Sequence, residues 1–238
     1  MKKLQLLKTL VGSRAHGLHQ EDSDYDYRGV HVCATKDILA IGAKVKDTEW
    51  IEGEAEDNTS YEIGHFLHMA TRCHPNYLEV FKAPIIIKEP TEEEALKKWR
   101  GVDYEYDFAN ELIELFPYVW DAEKAFTAYT NYASNNRTKL LATNGEVSYK
   151  YAVNYARTIY NLESLLREGT FTLELPEGEF KNFLIKVKKG FISTGEIIDK
   201  TEANTIVCMR LKSDCKQTQD LKVINEFLLK IRKHYWDM

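Results

Sequence analysis

The 238-residue chain is 44% hydrophobic, enough for one large domain or two modest ones with ordinary apolar cores. Its 32 Lys and Arg against 37 Asp and Glu give a net charge of −5, which excludes a general basic coat for nucleic acid and leaves only local contacts. Cys33, Cys73, Cys208 and Cys215 form no C-x-x-C pair, the N-terminus has no signal-peptide pattern, and no apolar run nears the ~18–20 residues of a membrane span, so a cytoplasmic protein with reduced thiols and no membrane segment is expected.

Residues 4–11 read as a buried strand running into Gly12-Ser13, a short helix follows, and a polar turn at residues 20–23 leads into a second strand over residues 24–33. Trp50-Ile51 and residues 59–61 are weaker strand candidates. Ile63, Phe66, Leu67 and Ala70 then repeat at the spacing of a core-facing helix, which Pro75 stops or kinks. A helical pattern over residues 91–100 ends at Gly101, and a boundary is expected near residues 101–107. Beyond it, helices are predicted at residues 108–120, 121–141, 148–168, 177–189, 194–214 and 221–235. The fold class is therefore α+β: a small mixed-sheet domain over residues 1–105, an all-α helical bundle over residues 106–238, and the working site in a cleft between them.

The chemistry concentrates in residues 11–30. Gly12-Ser13 follows an apolar strand and opens a helix, so its backbone N–H groups and the Ser13 hydroxyl can face phosphate oxygens, with the Arg14 charge beside them. Asp24 and Asp26 are two apart on a predicted strand, which puts both carboxylates on one face, as an Mg²⁺ pair needs. Taken singly, a Gly-Ser turn is only a strand-to-helix connection and Glu21-Asp-Ser-Asp24 only a solvated turn. Their joint order of strand, Gly-Ser, helix, turn and Asp-x-Asp is far more specific. It describes a cradle for a triphosphate next to ligands for a two-metal site.

The run Gly-Ser-Arg-Ala-His-Gly-Leu18, followed by Ser23-Asp-Tyr-Asp-Tyr-Arg-Gly-Val30, resembles nucleotidyltransferases of the DNA polymerase beta superfamily, specifically the YcgL-like group linked by name to RNA repair. The likeness continues through residues 57–67 and Asn76-Tyr-Leu-Glu-Val-Phe81, where the proline precedes rather than follows the asparagine. It also takes in residues 149–157, 165–169 and 183–190, so it covers roughly residues 1–200 and leaves the last ~40 without a motif.

The resemblance implies a third metal-binding acid on a neighbouring strand at Asp57, which would share a strand face with Thr59 and Tyr61; Glu62 and Glu54 are rivals. On the helix from Lys150, the residues Lys150, Asn154, Arg157 and Asn161 share a polar face opposite an apolar stripe. Such a face is commonly just solvated, whereas the resemblance makes Lys150 and Arg157 candidates to grip the triphosphate. Asn154 stands where relatives would carry a histidine. His65, His68 and Arg72, with Cys73 and His74 nearby, fit no zinc spacing and read as a basic face. The fourteen tyrosines receive no role.

The implied reaction moves a nucleoside monophosphate from a nucleoside triphosphate (NTP), held with Mg²⁺, to a hydroxyl acceptor. In it Asp24, Asp26 and Asp57 are catalytic, while Gly12, Ser13 and Arg14 bind phosphate. The resemblance implies an RNA or tRNA end as acceptor. The alternatives are an antitoxin-like transferase acting on a partner protein and a non-catalytic module that binds a nucleotide or a partner.

Overall fold

The computed structural model describes residues 3–51, 58–88, 107–142 and 149–237. Five strands form one mixed sheet: β1 (Lys3–Val11), β2 (Asp26–Cys33), β3 (Thr48–Glu49), β4 (Thr59–Glu62) and β5 (Ile85–Lys88), in the order β3-β4-β2-β1-β5. β2 runs antiparallel to β1 and parallel to β4. The short helices α1 (Gly12–Ala15), α2 (Thr35–Leu39), α3 (Ile63–Thr71) and α4 (Pro75–Val80) connect or cover the strands. Seven further helices follow: α5 (Phe108–Glu114), α6 (Phe116–Val119), α7 (Ala122–Ala142), α8 (Tyr149–Glu168), α9 (Glu179–Lys188), α10 (Thr194–Asp214) and α11 (Leu221–His234). The α+β class holds, a mixed sheet followed by a helical region.

The β1–β2 register places Val11 opposite Asp26, Thr9 opposite Arg28 and Leu7 opposite Val30. Residues directly opposite each other point to one side of a sheet, so these six share a face. Leu7, Thr9, Val11 and Val30 are buried on it. Tyr61, aligned with Val30, packs its ring against Tyr77 at 4.4 Å and Phe66 at 6.2 Å, so α3 and α4 close over this face with aromatic rings. Asp26 and Arg28 lie at its rim, half-buried.

Several expectations need correction. The second strand begins at Asp26, so Asp24 belongs to the turn before it. The third strand is Thr48–Glu49 rather than Trp50-Ile51. Pro75 starts a helix: α3 ends at Thr71, Cys73 takes φ 57°, and Pro75 opens α4, where its missing N–H costs nothing. The helix expected over residues 108–120 is two, α5 and α6, with Pro117 near the start of the second. Strand β5 and helix α2 were not anticipated. The helix at residues 91–100 and the boundary at residues 101–106 lie outside the described residues.

The apolar core is continuous from the sheet into the helices, from Leu6 and Val30 through Phe66, Trp120 and Tyr129 to Leu162 and Ile231. The last helix ties back to the sheet. Arg232 forms two 2.7 Å hydrogen bonds to the Glu62 carboxylate, and the carbonyls of Tyr235 and Trp236 accept from the N–H groups of Thr35 and Lys36 at 2.9 and 3.2 Å. Those two donors open α2 and would otherwise have no partner within it. Among the described residues no helix is long and apolar enough to cross a membrane.

Candidate active site

The strand-to-helix turn and Asp26 are in direct contact. Gly12 has φ 72°, and a Cβ placed on it would run into the Asp26 carboxylate, with Cγ 3.0 Å away and Oδ2 nearer still. Glycine is therefore required twice, for its backbone conformation and for the close approach. Val11, the N-cap of α1, provides no side-chain hydrogen bond to the turn. The turn closes on itself through His16 N to Gly12 O at 3.2 Å and Leu18 N to Ser13 O at 2.9 Å.

Asp24 is exposed and precedes the strand. Tyr25 and Tyr27 stack at 6.4 Å with 18° between their planes, so these two rings lie side by side next to Asp24 and Asp26 in the chain. Arg14 holds this segment from both sides of Asp24. Its Nε and Nη2 donate to Ser23 O at 3.0 and 2.7 Å, and its guanidinium lies 3.9 Å over the Tyr25 ring. Arg14, a candidate phosphate contact by sequence, thus braces the loop that carries Asp24.

Asp57 and its rival Glu54 lie outside the described residues. Asn58, next to Asp57 in sequence, accepts from Tyr27 N at 2.9 Å. Glu62 is not available as a ligand: it caps α3 by accepting from Gly64 N at 2.8 Å and pairs with Arg232, five residues along the sheet from the level of Asp26.

The polar stripe on α8 is not a solvated face. Lys150 is exposed in the first turn, but Arg157 and Asn161 are buried. Arg157 Nη1 donates to Glu79 Oε1 of α4 at 2.6 Å, with side chains only 7% and 8% exposed. Burial pushes the Glu79 carboxyl up, and the Arg157 and Arg28 guanidiniums more than offset this, leaving it below the ordinary carboxylate value. His16, two residues after Arg14, lies in the same polar layer. Burial, with Arg157 nearby, lowers its pKa to about 4, so it is neutral, and its Nδ1 donates to Leu173 O at 3.0 Å.

The helical half grips the residues that follow the turn. Leu175 N donates to His16 O at 3.3 Å, and Lys188 Nζ of α9 to Leu18 O at 2.7 Å. Neither contact was readable from sequence, nor was Glu79, although it stands in the quoted segment Asn76–Phe81. Cys73 and His74 have separate tasks. Burial first of all raises the Cys73 thiol to about 11 while its Sγ donates to Asp121 O, and His74 packs edge-on against Tyr77 and Tyr132. Two cavities of about 520 and 340 Å³ lie among α7, α8, α9 and α10, and neither is lined by Gly12, Asp24 or Asp26. The candidate site lies at the ends of two inner strands, where β1 leaves the sheet and β2 enters it.

The model of the RNA repair pathway DNA polymerase beta family matches residues 4–231. The chain belongs to this family. No curated protein matches it significantly. The family match passes residue 200, where the motif resemblance stopped, and ends within α11, which bears the Arg232–Glu62 pair. Membership of the RNA repair pathway DNA polymerase beta family points to a polymerase-beta-like nucleotidyltransferase with a role in RNA repair.

Proposed function

We propose that the protein is a Mg²⁺-dependent nucleotidyltransferase that moves a nucleoside monophosphate from an NTP to a hydroxyl acceptor, an RNA or tRNA end. The single observation that carries this reading is the contact between Gly12 and Asp26, which brings an N–H-lined turn and a carboxylate together with no side chain between them. Asp24 and Asp26 form an oxygen-only, anionic donor set open to solvent on one side. This suits Mg²⁺, which takes one or two protein carboxylates and fills its remaining positions with phosphate oxygens and water. Bound there, the metal would neutralise and polarise the phosphate oxygens.

The chain's own groups supply the rest. The Gly12 and Ser13 N–H groups and the Ser13 hydroxyl hold phosphate oxygens, and Lys150 reaches toward the triphosphate from α8. Arg14 fixes Asp24 through Ser23 and Tyr25. The acceptor oxygen bonds to the α-phosphorus as the α–β bridging P–O bond breaks and pyrophosphate leaves. The hydroxyl proton passes to a carboxylate, the role given to Asp57. Arg157 is assigned to the link between α4 and α8 instead of to phosphate.

The test is incubation with each α-labelled NTP and Mg²⁺ in the presence of total RNA or cell lysate. Label in RNA that is lost in Asp26→Asn supports the reading. Label in protein instead favours an antitoxin-like transferase. If no acceptor is labelled and Asp24→Asn leaves nucleotide binding unchanged, the protein is a binding module and the proposal is wrong.

A further inference from the structure

Three of the arginines around the candidate site are taken up by direct partners. Arg14 is held by Ser23 and Tyr25, Arg157 by Glu79 and Arg232 by Glu62. Arg28 lies two residues beyond Asp26 on β2 and on the same face, about 7 Å further along the strand. Among the described residues its guanidinium makes one hydrogen bond, Nη1 to Asn76 O at 3.1 Å, and no ion pair. That bond to the first turn of α4 orients the group and leaves its remaining N–H donors uncommitted. The side chain is half-buried and near enough to Glu79 to help hold that carboxyl's pKa down, but the direct ion-pair partner of Glu79 is Arg157.

Its position along the strand gives this charge a use. Val11 is level with Asp26, so Gly12 and Ser13 lie beyond one end of β2, whereas Arg28, level with Thr9, lies on the other side of Asp26. Displacement at a phosphorus proceeds in line, with attacking and leaving oxygens on opposite sides. With the leaving pyrophosphate at the Gly12–Ser13 turn, the acceptor must approach from the side of Arg28. A fixed guanidinium there matches a phosphate by bidentate hydrogen bonding and has nothing comparable to offer an uncharged protein hydroxyl.

We propose that Arg28 grips the phosphodiester next to the attacking hydroxyl and so selects a nucleic-acid end as acceptor. The inference rests on the nucleotidyltransferase reading above, and the assay separates the two. Transfer from α-labelled NTPs with Mg²⁺ is measured for wild type, Arg28→Met and Arg28→Lys. The acceptors are a short RNA with a 3′ hydroxyl and the same RNA carrying an uncharged methylphosphonate at its last linkage.

The expected result is that Arg28→Met raises the acceptor KM roughly 10- to 100-fold, the size of a lost charged hydrogen bond, while the NTP KM stays within about twofold. The methylphosphonate should raise the wild-type KM similarly and add nothing to the Arg28→Met defect, and Arg28→Lys should recover part of the loss. If Arg28→Met does not fold, Arg28→Lys and the methylphosphonate effect on wild type decide. An increase in NTP KM instead, an undiminished methylphosphonate effect in Arg28→Met, or label in protein alone overturns the assignment and leaves the transferase reading standing. Transfer undiminished in Asp26→Asn, or none by wild type to any acceptor, overturns both.

Discussion

Replacing Arg157 by Met removes the partner of a carboxylate that has almost no access to water, since the Glu79 side chain is only 8% exposed. Breaking a buried pair from one side typically costs about 3–5 kcal/mol. Here the cost has a ceiling, because Glu79 can escape by binding a proton. From an ordinary pKa of about 4.3, protonation costs about 1.4 kcal/mol per pH unit, so the ceiling is about 4 kcal/mol at pH 7 and about 1 kcal/mol at pH 5. The sign of the pH dependence should therefore reverse. In wild type the Glu79 pKa is depressed, and its contribution is present above about pH 4.3 and lost as the pH falls through the folded-state value. In Arg157→Met the largest opposing charge is gone and burial should outweigh what Arg28 still supplies, so the pKa rises, and the contribution is full below about pH 4.3 and lost as the pH rises. Urea unfolding followed by tryptophan fluorescence between pH 5 and 7.5 measures both, and the difference between variants cancels most of the titration of His16 and His31. The wild type should exceed Arg157→Met by about 3–4 kcal/mol at pH 7 and by about 1 kcal/mol at pH 5. Adding Glu79→Gln should flatten the difference. A loss below about 1 kcal/mol at every pH, together with NTP affinity reduced more than about tenfold, would refute the structural role and return Arg157 to the phosphates.

Three further outcomes follow from the same contacts. Gly12→Ala should lower transfer by about 100-fold or more, since it displaces the Asp26 carboxylate, while strain at φ 72° reduces stability by only about 1–2 kcal/mol; single-turnover rates beside unfolding curves check both. Arg14→Met releases both flanks of Asp24, so the Mg²⁺ concentration needed for half-maximal transfer should rise several-fold with NTP KM nearly constant, and a rise in NTP KM alone would instead show a direct phosphate contact. Arg232→Met leaves Glu62 buried without its partner and should cost about 3 kcal/mol or more of stability with little change in kcat for the folded fraction, as measured by thermal unfolding and activity at 20 °C below the transition.

Most of the fold was legible because it repeats with a period. The stripes of α7, α8, α10 and α11 and the runs of β1 and β2 fix where helices and strands fall to within a residue or two. Gly12 and Asp26 were also legible, since their chemistry is local: a turn that only glycine can make and an acid at a set spacing. What failed was the environment of polar residues. Arg157 and Lys150 occupy one stripe in sequence, yet one is buried against Glu79 and the other is in water. The partner lies 78 residues away on α4, and a helical period says nothing about what a polar face meets. Glu62 was open to the same error, as its partner Arg232 is 170 residues distant. Alternation extends the strand to Asp24, but the ladder starts two residues later, at Asp26.

The same long-range contacts bear on how the site keeps its shape. Four residues of α1 cannot hold a turn rigid by themselves, because so short a helix gains too little from its own hydrogen bonds. Rigidity comes from three directions instead: Asp26 beneath Gly12, Ser23 and Tyr25 clamped by Arg14, and Leu173, Leu175 and Lys188 holding His16 and Leu18. The last group belongs to the helical half, and the buried Glu79–Arg157 pair keeps that half in place against α4. The Gly12–Ser13 turn is thus built at the end of an inner strand but positioned by the helical half. The geometry of the turn then depends on residues far from it in sequence, and Lys188→Met, which removes the hydrogen bond to Leu18 O, should lower transfer if the proposed reaction is right.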